Sequence, residues 1–204
     1  VGAGTAFAAG DPGRIVLPDG ARPGDALVVT KGPAVETTGL LTTLFSGQIE
    51  LPAETLALAQ ERLTDTGIVR DALAAREAGT VTAMHDATEG GLLGALFEMA
   101  ASAGVRLVVD SDAVPLMPGV GETCETLGMD PWRATTGGTL LVAVAPGDAD
   151  GLVAALDERD TPAAVVGHVE PGSGVERDGE DASRPAGDAS WPVYERLSGA
   201  TQEE

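Results

Sequence analysis

Short runs of apolar residues alternate along this chain with turns rich in glycine, proline and acidic residues. Strand-like runs of Val, Leu, Ala and Ile predict β-strands at residues 14–20, 25–31, 81–86, 105–110, 139–146 and 163–170. Apolar residues that recur every three or four positions predict helices at residues 36–45, 53–78 with a break near Thr66, 90–103, 120–128 and 148–159.

The order of these elements indicates the fold class. Strands interleaved with helices are typical of a sheet covered by helices, so we expect an α/β (α+β) fold with a central mixed sheet flanked by helices. Residues 171–204 are rich in small and charged residues and are expected to form an acidic, partly disordered tail. Within this tail, residues 191–197 are expected to pack back on the domain, because they include two of the few aromatic side chains.

Composition and charge restrict the partners. The 204 residues are 43% hydrophobic and carry a net charge of −20. Such a surface repels phosphate backbones and anionic membranes, which argues against nucleic-acid and membrane binding. Lys31 is the only lysine, and an acidic, lysine-poor chain is typical of salt-loving organisms. An acidic surface that serves only solubility is the alternative.

The cysteine content and the ends of the chain bear on its context. Cys124 is the only cysteine, which favours a reducing, cytoplasmic location. There is no run of about 18 apolar residues, and no signal peptide is expected. The chain begins with Val rather than Met, so residues 1–11 are expected to be a linker or the remnant of a preceding N-terminal domain.

One candidate site is the turn between the strand at 81–86 and the next helix. His85 and Asp86 end that strand, and Thr88, Gly90 and Gly91 precede the helix. Free N–H groups at a helix N-terminus can bind a phosphate, and glycines allow it to approach closely. Asp86 could brace the turn or hold a metal ion, and His85 could act as an acid or base. A purely structural turn is the alternative.

A second turn has a similar arrangement. Lys31 ends a strand and could contribute a point charge for a phosphate, while Glu36 and Thr38 start the following helix. A structural role for Lys31 is the alternative. Gly137 and Gly138 form a third turn, which leads into the strand at 139–146. A phosphate site requires these turns to converge on one anionic ligand.

Four segments resemble the C-terminal domain of the AIR synthase (PurM-like) superfamily: PGDALVVTKGPAVETTGLL, AMHDATEGGLLGALFEMAASAGVRLVVDSDAVPL, ETLGMDPWRATTGGTLLVAVAP and AAVVGHVE. The resemblance covers residues 12–170 and is strongest to the hydrogenase-maturation protein HypE and archaeal AIR synthase-related proteins. It implies a PurM C-terminal-like fold, in which this domain follows an N-terminal domain that dimerises.

The resemblance also implies an activity. Family members use ATP and Mg²⁺, held mostly by the N-terminal domain, to phosphorylate an amide-type oxygen or a similar group. The C-terminal domain alone is expected to be inactive, to face a small phosphate-containing ligand, and to meet a maturation-factor partner. The implied catalytic residues are His85 and Asp86, the latter also a possible metal ligand. The implied phosphate-binding residues are Lys31, Glu36, Thr38, Thr88, Gly90, Gly91, Gly137 and Gly138.

One feature departs from the HypE pattern. HypE ends in a cysteine that carries the carbamoyl group, whereas this chain ends SGATQEE. The resemblance therefore implies an ATP-binding fold that acts on a different acceptor. The alternatives are a non-catalytic domain that binds a phosphorylated metabolite or a partner, and a relative of thiamine-monophosphate kinase or selenide water dikinase.

Overall fold

The structure, a computed structural model, describes Thr5, Asp11, Gly13 and residues 15–199. Apart from Thr5 and Asp11, the segment 1–11 that was expected to be a linker or domain remnant lies outside the described residues. Residues 15–199 form one seven-stranded sheet with helices on both faces. The predicted α/β (α+β) class is therefore confirmed.

The helices and strands follow the predicted order closely. The strands are β1 (Ala26–Thr30), β2 (Val81–Ala87), β3 (Arg106–Val109), β4 (Thr139–Val144), β5 (Ala163–Glu170), β6 (Gly174–Arg177) and β7 (Glu180–Asp181). The helices are α1 (Val35–Leu44), α2 (Ala53–Glu61), α3 (Val69–Ala78), α4 (Gly91–Ala103), α5 (Val120–Leu127), α6 (Ala149–Asp157) and α7 (Ser190–Ser198).

The sheet is mixed, with the strand order β2-β4-β1-β5-β3-β6-β7. Neighbouring strands are antiparallel except β3 and β6, which are parallel. Strand β1 lies in the interior of the sheet and is buried along its whole length. A strand covered on both faces reads as a continuous apolar run, which is why DALVVTK shows no alternation.

Two apolar layers sandwich the sheet. Leu27 and Val29 of β1 point to one face, where they join the buried side of α4. Val28 points to the other face, where it joins buried residues of α3 and α6. Because successive side chains of a strand alternate between faces, one short strand contributes to both layers.

A third apolar cluster lies beyond the sheet and joins α1, α5 and α7. Cys124 is buried in this cluster, and burial raises the pKa of its thiol to about 12, with a smaller contribution from the charge of Asp130. The thiol is therefore protonated at neutral pH and acts as a small apolar group. Val193 of α7 is buried in the same cluster, so residues 191–197 pack back on the domain as predicted.

The local structure differs from the sequence-based expectation at three places. Within the run at 14–20, residues 15–17 form no strand and Pro18–Gly20 form a 3₁₀ turn. Within the tail at 171–204, which was expected to be partly disordered, β6 and β7 extend the sheet beyond β3. Val69 and Leu73, which belong to the apolar spacing that predicts this helix, are 70% and 55% exposed, because Ala74 and Ala75 pack against the sheet instead.

Candidate functional site

The three candidate turns lie at one end of the sheet. Strand β4 lies between β1 and β2 and runs antiparallel to both, so the C-terminal ends of β1 and β2 flank its first residues. Ala87 at the end of β2 pairs with Thr139 at the start of β4. On the other side, the Leu140 N–H donates to Thr30 Oγ1 at 2.9 Å. The turns after β1, after β2 and before β4 are therefore neighbours.

Threonine hydroxyls join the turn after β1 to the turn before β4. Thr139 Oγ1 donates to the carbonyl of Gly32 at 2.5 Å, and Thr136 Oγ1 accepts from the Val35 N–H at 3.0 Å. Thr37 Oγ1 donates to the carbonyl of Thr135 at 2.7 Å. These hydrogen bonds fix the position of the start of α1 relative to β4.

A groove of about 600 Å³ opens beside the three turns. Helix α1 forms one wall, α7 forms the other, and the turns after β2 and before β4 form the floor. Its polar lining includes Glu36, Thr88, Glu89 and Thr135, and its apolar lining includes Leu44 and Trp191. Among the described residues, no lysine or arginine lines this groove.

The anion position predicted at the start of α4 is filled by a carboxylate of the chain itself. Asp188 Oδ2 accepts from the Gly90 N–H and from Thr135 Oγ1, both at 2.8 Å. Asp188 Oδ1 accepts from the N–H of Thr135 at 3.3 Å and from the N–H of Ser190 at 2.8 Å, and also from the Ser190 hydroxyl. The start of α4 therefore binds a carboxylate of the chain itself, which connects α7 to α4.

The surroundings of Asp188 favour its charged form. Partial burial opposes ionisation, but hydrogen bonds from Ser190, Gly90 and Thr135 outweigh it and lower the pKa of the carboxyl. A lowered pKa in the folded state means that the ionised group stabilises the fold at every pH above the unfolded value of about 4. This stabilisation is lost as the pH falls through the folded pKa.

We expect Asp188→Ala to lower the free energy of unfolding at pH 7 by about 1–3 kcal/mol, because several donors lose a charged acceptor. The difference from the native protein should shrink below about pH 4. Urea unfolding at pH 7 and at low pH measures both. Asp157→Ala, at an exposed position at the end of α6, is the control and should change stability by less than about 0.5 kcal/mol. Equal loss at both pH values would contradict the assigned role.

Lys31 lies close to the turns, but its amine points away from the groove. Its Nζ lies 2.7 Å from Asp71 Oδ2 in a buried ion pair. The same amine donates to the backbone carbonyls of Asp65, Gly67 and Gly138 at 3.1, 2.8 and 3.2 Å. An ammonium group has only three protons, so this lysine has no donor left for a phosphate. The structural alternative considered for Lys31 fits this geometry.

His85 and Asp86 are on β2, at one edge of the sheet. His85 Nε2 lies 2.8 Å from Glu98 of α4, and its Nδ1 lies 3.6 Å from Asp86 Oδ1. Among the described residues, neither side chain lines the groove. The contacts of this pair are with each other and with Glu98 rather than with the three turns.

Of the remaining predicted phosphate-binding residues, some line the groove and others lie away from it. Glu36 and Thr88 line the groove, and Glu36 Oε2 accepts the Gly137 N–H at 3.2 Å. Thr38 is fully buried, so it lies in the core rather than at the groove. A side chain at Gly138 would meet the Asp65 carbonyl at 2.4 Å, which places this glycine beside Lys31 and its carbonyl partners.

Sequence reasoning missed Asp188 and the second wall of the groove. Asp188 accepts the N–H two residues further on, as aspartate often does in an Asx-turn, and this was the available signal. Trp191 and Tyr194 were noted only as aromatics that would pack back. No pattern within a short window relates α7 to α1, because more than 140 residues separate them.

Two further properties concern metals and membranes. Among the described residues, no group of three or more His, Cys, Asp or Glu side chains is placed to hold a metal ion. Asp86 therefore has no described co-ligands for the metal site considered for it. None of the helices in the described part of the chain is long and apolar enough to cross a membrane.

Comparisons with known proteins show which sequences this chain resembles. A sequence model of the family "AIR synthase related protein, C-terminal domain" matches residues 22–179. Carbamoyl dehydratase HypE of Rhizobium leguminosarum bv. viciae is 32% identical over 153 residues, which are 74% of this chain and 42% of that protein. Selenide, water dikinase of Geobacter metallireducens is 36% identical over 160 residues, with 72% and 41% coverage.

Solved structures of similar proteins have a similar fold. E. coli HypE, a hydrogenase maturation protein, has a TM-score of 0.72 at 25% identity and covers 88% of this chain and 55% of its own. A structure of HypE in complex with ATP has a TM-score of 0.56 at 27% identity, with 76% and 45% coverage. The chain thus spans about two fifths of the two curated relatives and about half of the two solved chains.

Proposed function

The chain belongs to the AIR synthase related protein family, C-terminal domain, and from this premise we propose that it is the C-terminal part of an ATP-dependent, HypE-like enzyme. The enzyme activates an amide-type oxygen or a similar group by phosphorylation. The sequence identity of 32% to a carbamoyl dehydratase supports this class of reaction. It acts in the cytoplasm as a homodimer, together with a maturation-factor partner.

The observation that carries this proposal is the meeting of the three turns at one groove. Turns after β1 and β2 and before β4 come from distant parts of the sequence, yet each contributes to the groove or to the bonds beside it. The ends of neighbouring strands are common positions for binding sites. Thr88 and Thr135 place hydroxyl groups there that can orient a small acceptor.

ATP and Mg²⁺ are held mostly by a domain outside this chain. The groove has no described cationic side chain, and no described cluster suits a metal ion. The described residues therefore do not fit a triphosphate with its metal by themselves, whereas a similar HypE has been solved with ATP. In this chain Glu36 fixes the Gly137 turn, and Thr88 faces the acceptor. His85 and Asp86 remain the proposed acid–base pair.

ATP turnover by the protein expressed from its complete reading frame tests the proposal. We expect hydrolysis that depends on Mg²⁺ and is stimulated by an amide or thiocarboxamide acceptor. Thr88→Val should lower kcat/KM by about tenfold, the effect of losing one hydrogen bond to the reacting group. Thr43→Val, at an exposed position of α1 outside the groove lining, is the control. The proposal would be refuted if no acceptor stimulated hydrolysis and the Thr88→Val protein had the same kcat/KM as the native protein.

A second candidate is a non-catalytic domain that binds a partner or a phosphorylated metabolite. The absence of cations from the described groove lining favours a partner over a free phosphate compound. If the protein from the complete reading frame binds no ATP by calorimetry, this second candidate replaces the first.

A further inference from the structure

The groove between α1 and α7 contains an unusual concentration of aromatic residues. The whole chain has six aromatic side chains; two of them, Trp191 and Tyr194, line the groove, and a third, Phe45, contacts Tyr194. The rings of Phe45 and Tyr194 lie 5.7 Å apart, and those of Tyr194 and Trp191 lie 6.4 Å apart, all edge to face. Trp191 is nevertheless 52% exposed and Tyr194 37% exposed. An exposed aromatic wall is typical of a binding surface.

Apolar residues extend this wall along the opposite helix. Leu40 and Leu44 of α1 are 38% and 55% exposed, and both line the groove. They lie four positions apart, so they project from the same face of α1. Four large apolar side chains therefore stand partly in solvent around one groove, although nothing in the described chain covers them. A contiguous apolar surface of this kind indicates an interaction site.

The polar end of the same groove is acidic. Glu36 and Glu89 line it, and none of the ion pairs among the described residues involves either one. Carboxylates and aromatic faces both attract a guanidinium or ammonium group, so two separate features favour the same charge in the occupant. A second copy of this chain would bring a further charge of −20 to this surface.

We infer that the groove between α1 and α7 docks a segment of a partner protein that carries an arginine or lysine beside apolar side chains. The basic group lies between Glu89, Glu36 and the aromatic rings, and the apolar groups lie against Leu40 and Leu44. Helix α1 is about 15 Å long, so the groove accommodates two to three turns of helix or a short extended strand. The inference deepens the proposed function and rests on it for the existence of a partner, because it names the chemistry that the partner presents to this groove, and its test contains no ATP.

Fluorescence anisotropy with a labelled peptide tests the docking. The probe is an amphipathic peptide of about twelve residues with leucines on one face and one central arginine. The comparison peptide has glutamate in place of arginine. We expect the arginine peptide to bind at least about tenfold more tightly, with affinity that falls as salt is added. Equal affinity for the two peptides would overturn the inference.

Variants locate the binding surface. Glu89→Gln and Leu44→Ser should each weaken binding of the arginine peptide by about five- to tenfold. The matched controls are Glu125→Gln on α5 and Leu116→Ser, whose side chain is 56% exposed outside the groove. Both controls should bind as the native chain does. Circular dichroism confirms folding of each variant.

Two outcomes would assign the groove to another occupant and overturn the inference. The first is competition by free arginine amide at the same concentration as the peptide, which would indicate a site for a small cation. The second is self-association of the chain in sedimentation that Leu44→Ser abolishes. Failure of the peptide to bind would leave the ATP-dependent activity of the complete protein unaffected, so the two proposals can be tested separately.

Discussion

Replacing Lys31 by methionine is expected to lower the free energy of unfolding by about 3–5 kcal/mol. The variant leaves the Asp71 carboxylate buried without its cation, and it removes the donor for three backbone carbonyls. Methionine is similar in length to lysine, and both residues have a Cβ and adopt the positive φ of 58° at this position at a similar cost. The change therefore isolates the effect of the charge and its hydrogen bonds. Urea unfolding at pH 7 measures the loss.

Two controls distinguish this structural role from ligand binding. Arg70→Met removes an exposed cation next to Asp71 and should cost less than about 0.5 kcal/mol. The double variant Lys31→Met with Asp71→Leu should recover much of the loss, because an apolar pair of similar volume can replace a buried ion pair. If Lys31→Met were as stable as the native chain and only weakened ligand binding, the point charge considered from the sequence would be the correct role.

Gly91→Ala is expected to have the second largest effect, a loss of about 2–5 kcal/mol. Part of this, about 1–2 kcal/mol, comes from the positive φ of 67°, which a residue with a Cβ adopts only with strain. The rest, about 1–3 kcal/mol, comes from overpacking. The new Cβ would lie 2.5 Å from the carbonyl oxygen of Trp132 and 2.7 Å from that of Ala134. Thermal or urea unfolding measures the total.

Gly128→Ala is the matched control for Gly91→Ala. Gly128 has a φ of 64°, but no atom lies within 4 Å of the Cβ that alanine would add. It should therefore show only the cost of the backbone conformation. Equal losses at the two positions would show that the contact with the 132–134 loop does not matter. In this structure a side chain at position 91 meets the carbonyl oxygens of Trp132 and Ala134.

Much of the fold could be predicted because the relevant signals are local. Helical spacing in α4 and continuous apolar runs in β1 and β4 reflect burial that a short window of sequence contains. The sequence indicates only that the three turns must lie close together if they bind one ligand; it does not show that they do. In the structure, their proximity follows from the position of β4 between β1 and β2, which is a long-range property.

The features that the sequence left open or missed depend on contacts between distant residues. Lys31 reaches Asp71 and carbonyls from two other segments, and no local pattern shows which way a strand-end lysine will turn. Asp188 lies 98 positions from Gly90, its partner at the start of α4. Strand β6 has a composition typical of disorder, but it is stabilised by parallel pairing with β3. In each case tertiary contacts outweigh local preference.

The burial of the sole lysine has a practical consequence for chemical labelling. Reagents that acylate primary amines, including common biotinylation and crosslinking esters, meet no ε-amino group on the surface of the folded domain, since the side chain of Lys31 is only 9% exposed. Modification of this amine requires the surrounding loops to open. The rate of acylation at one position therefore reports transient opening of the domain, against a background free of competing lysines.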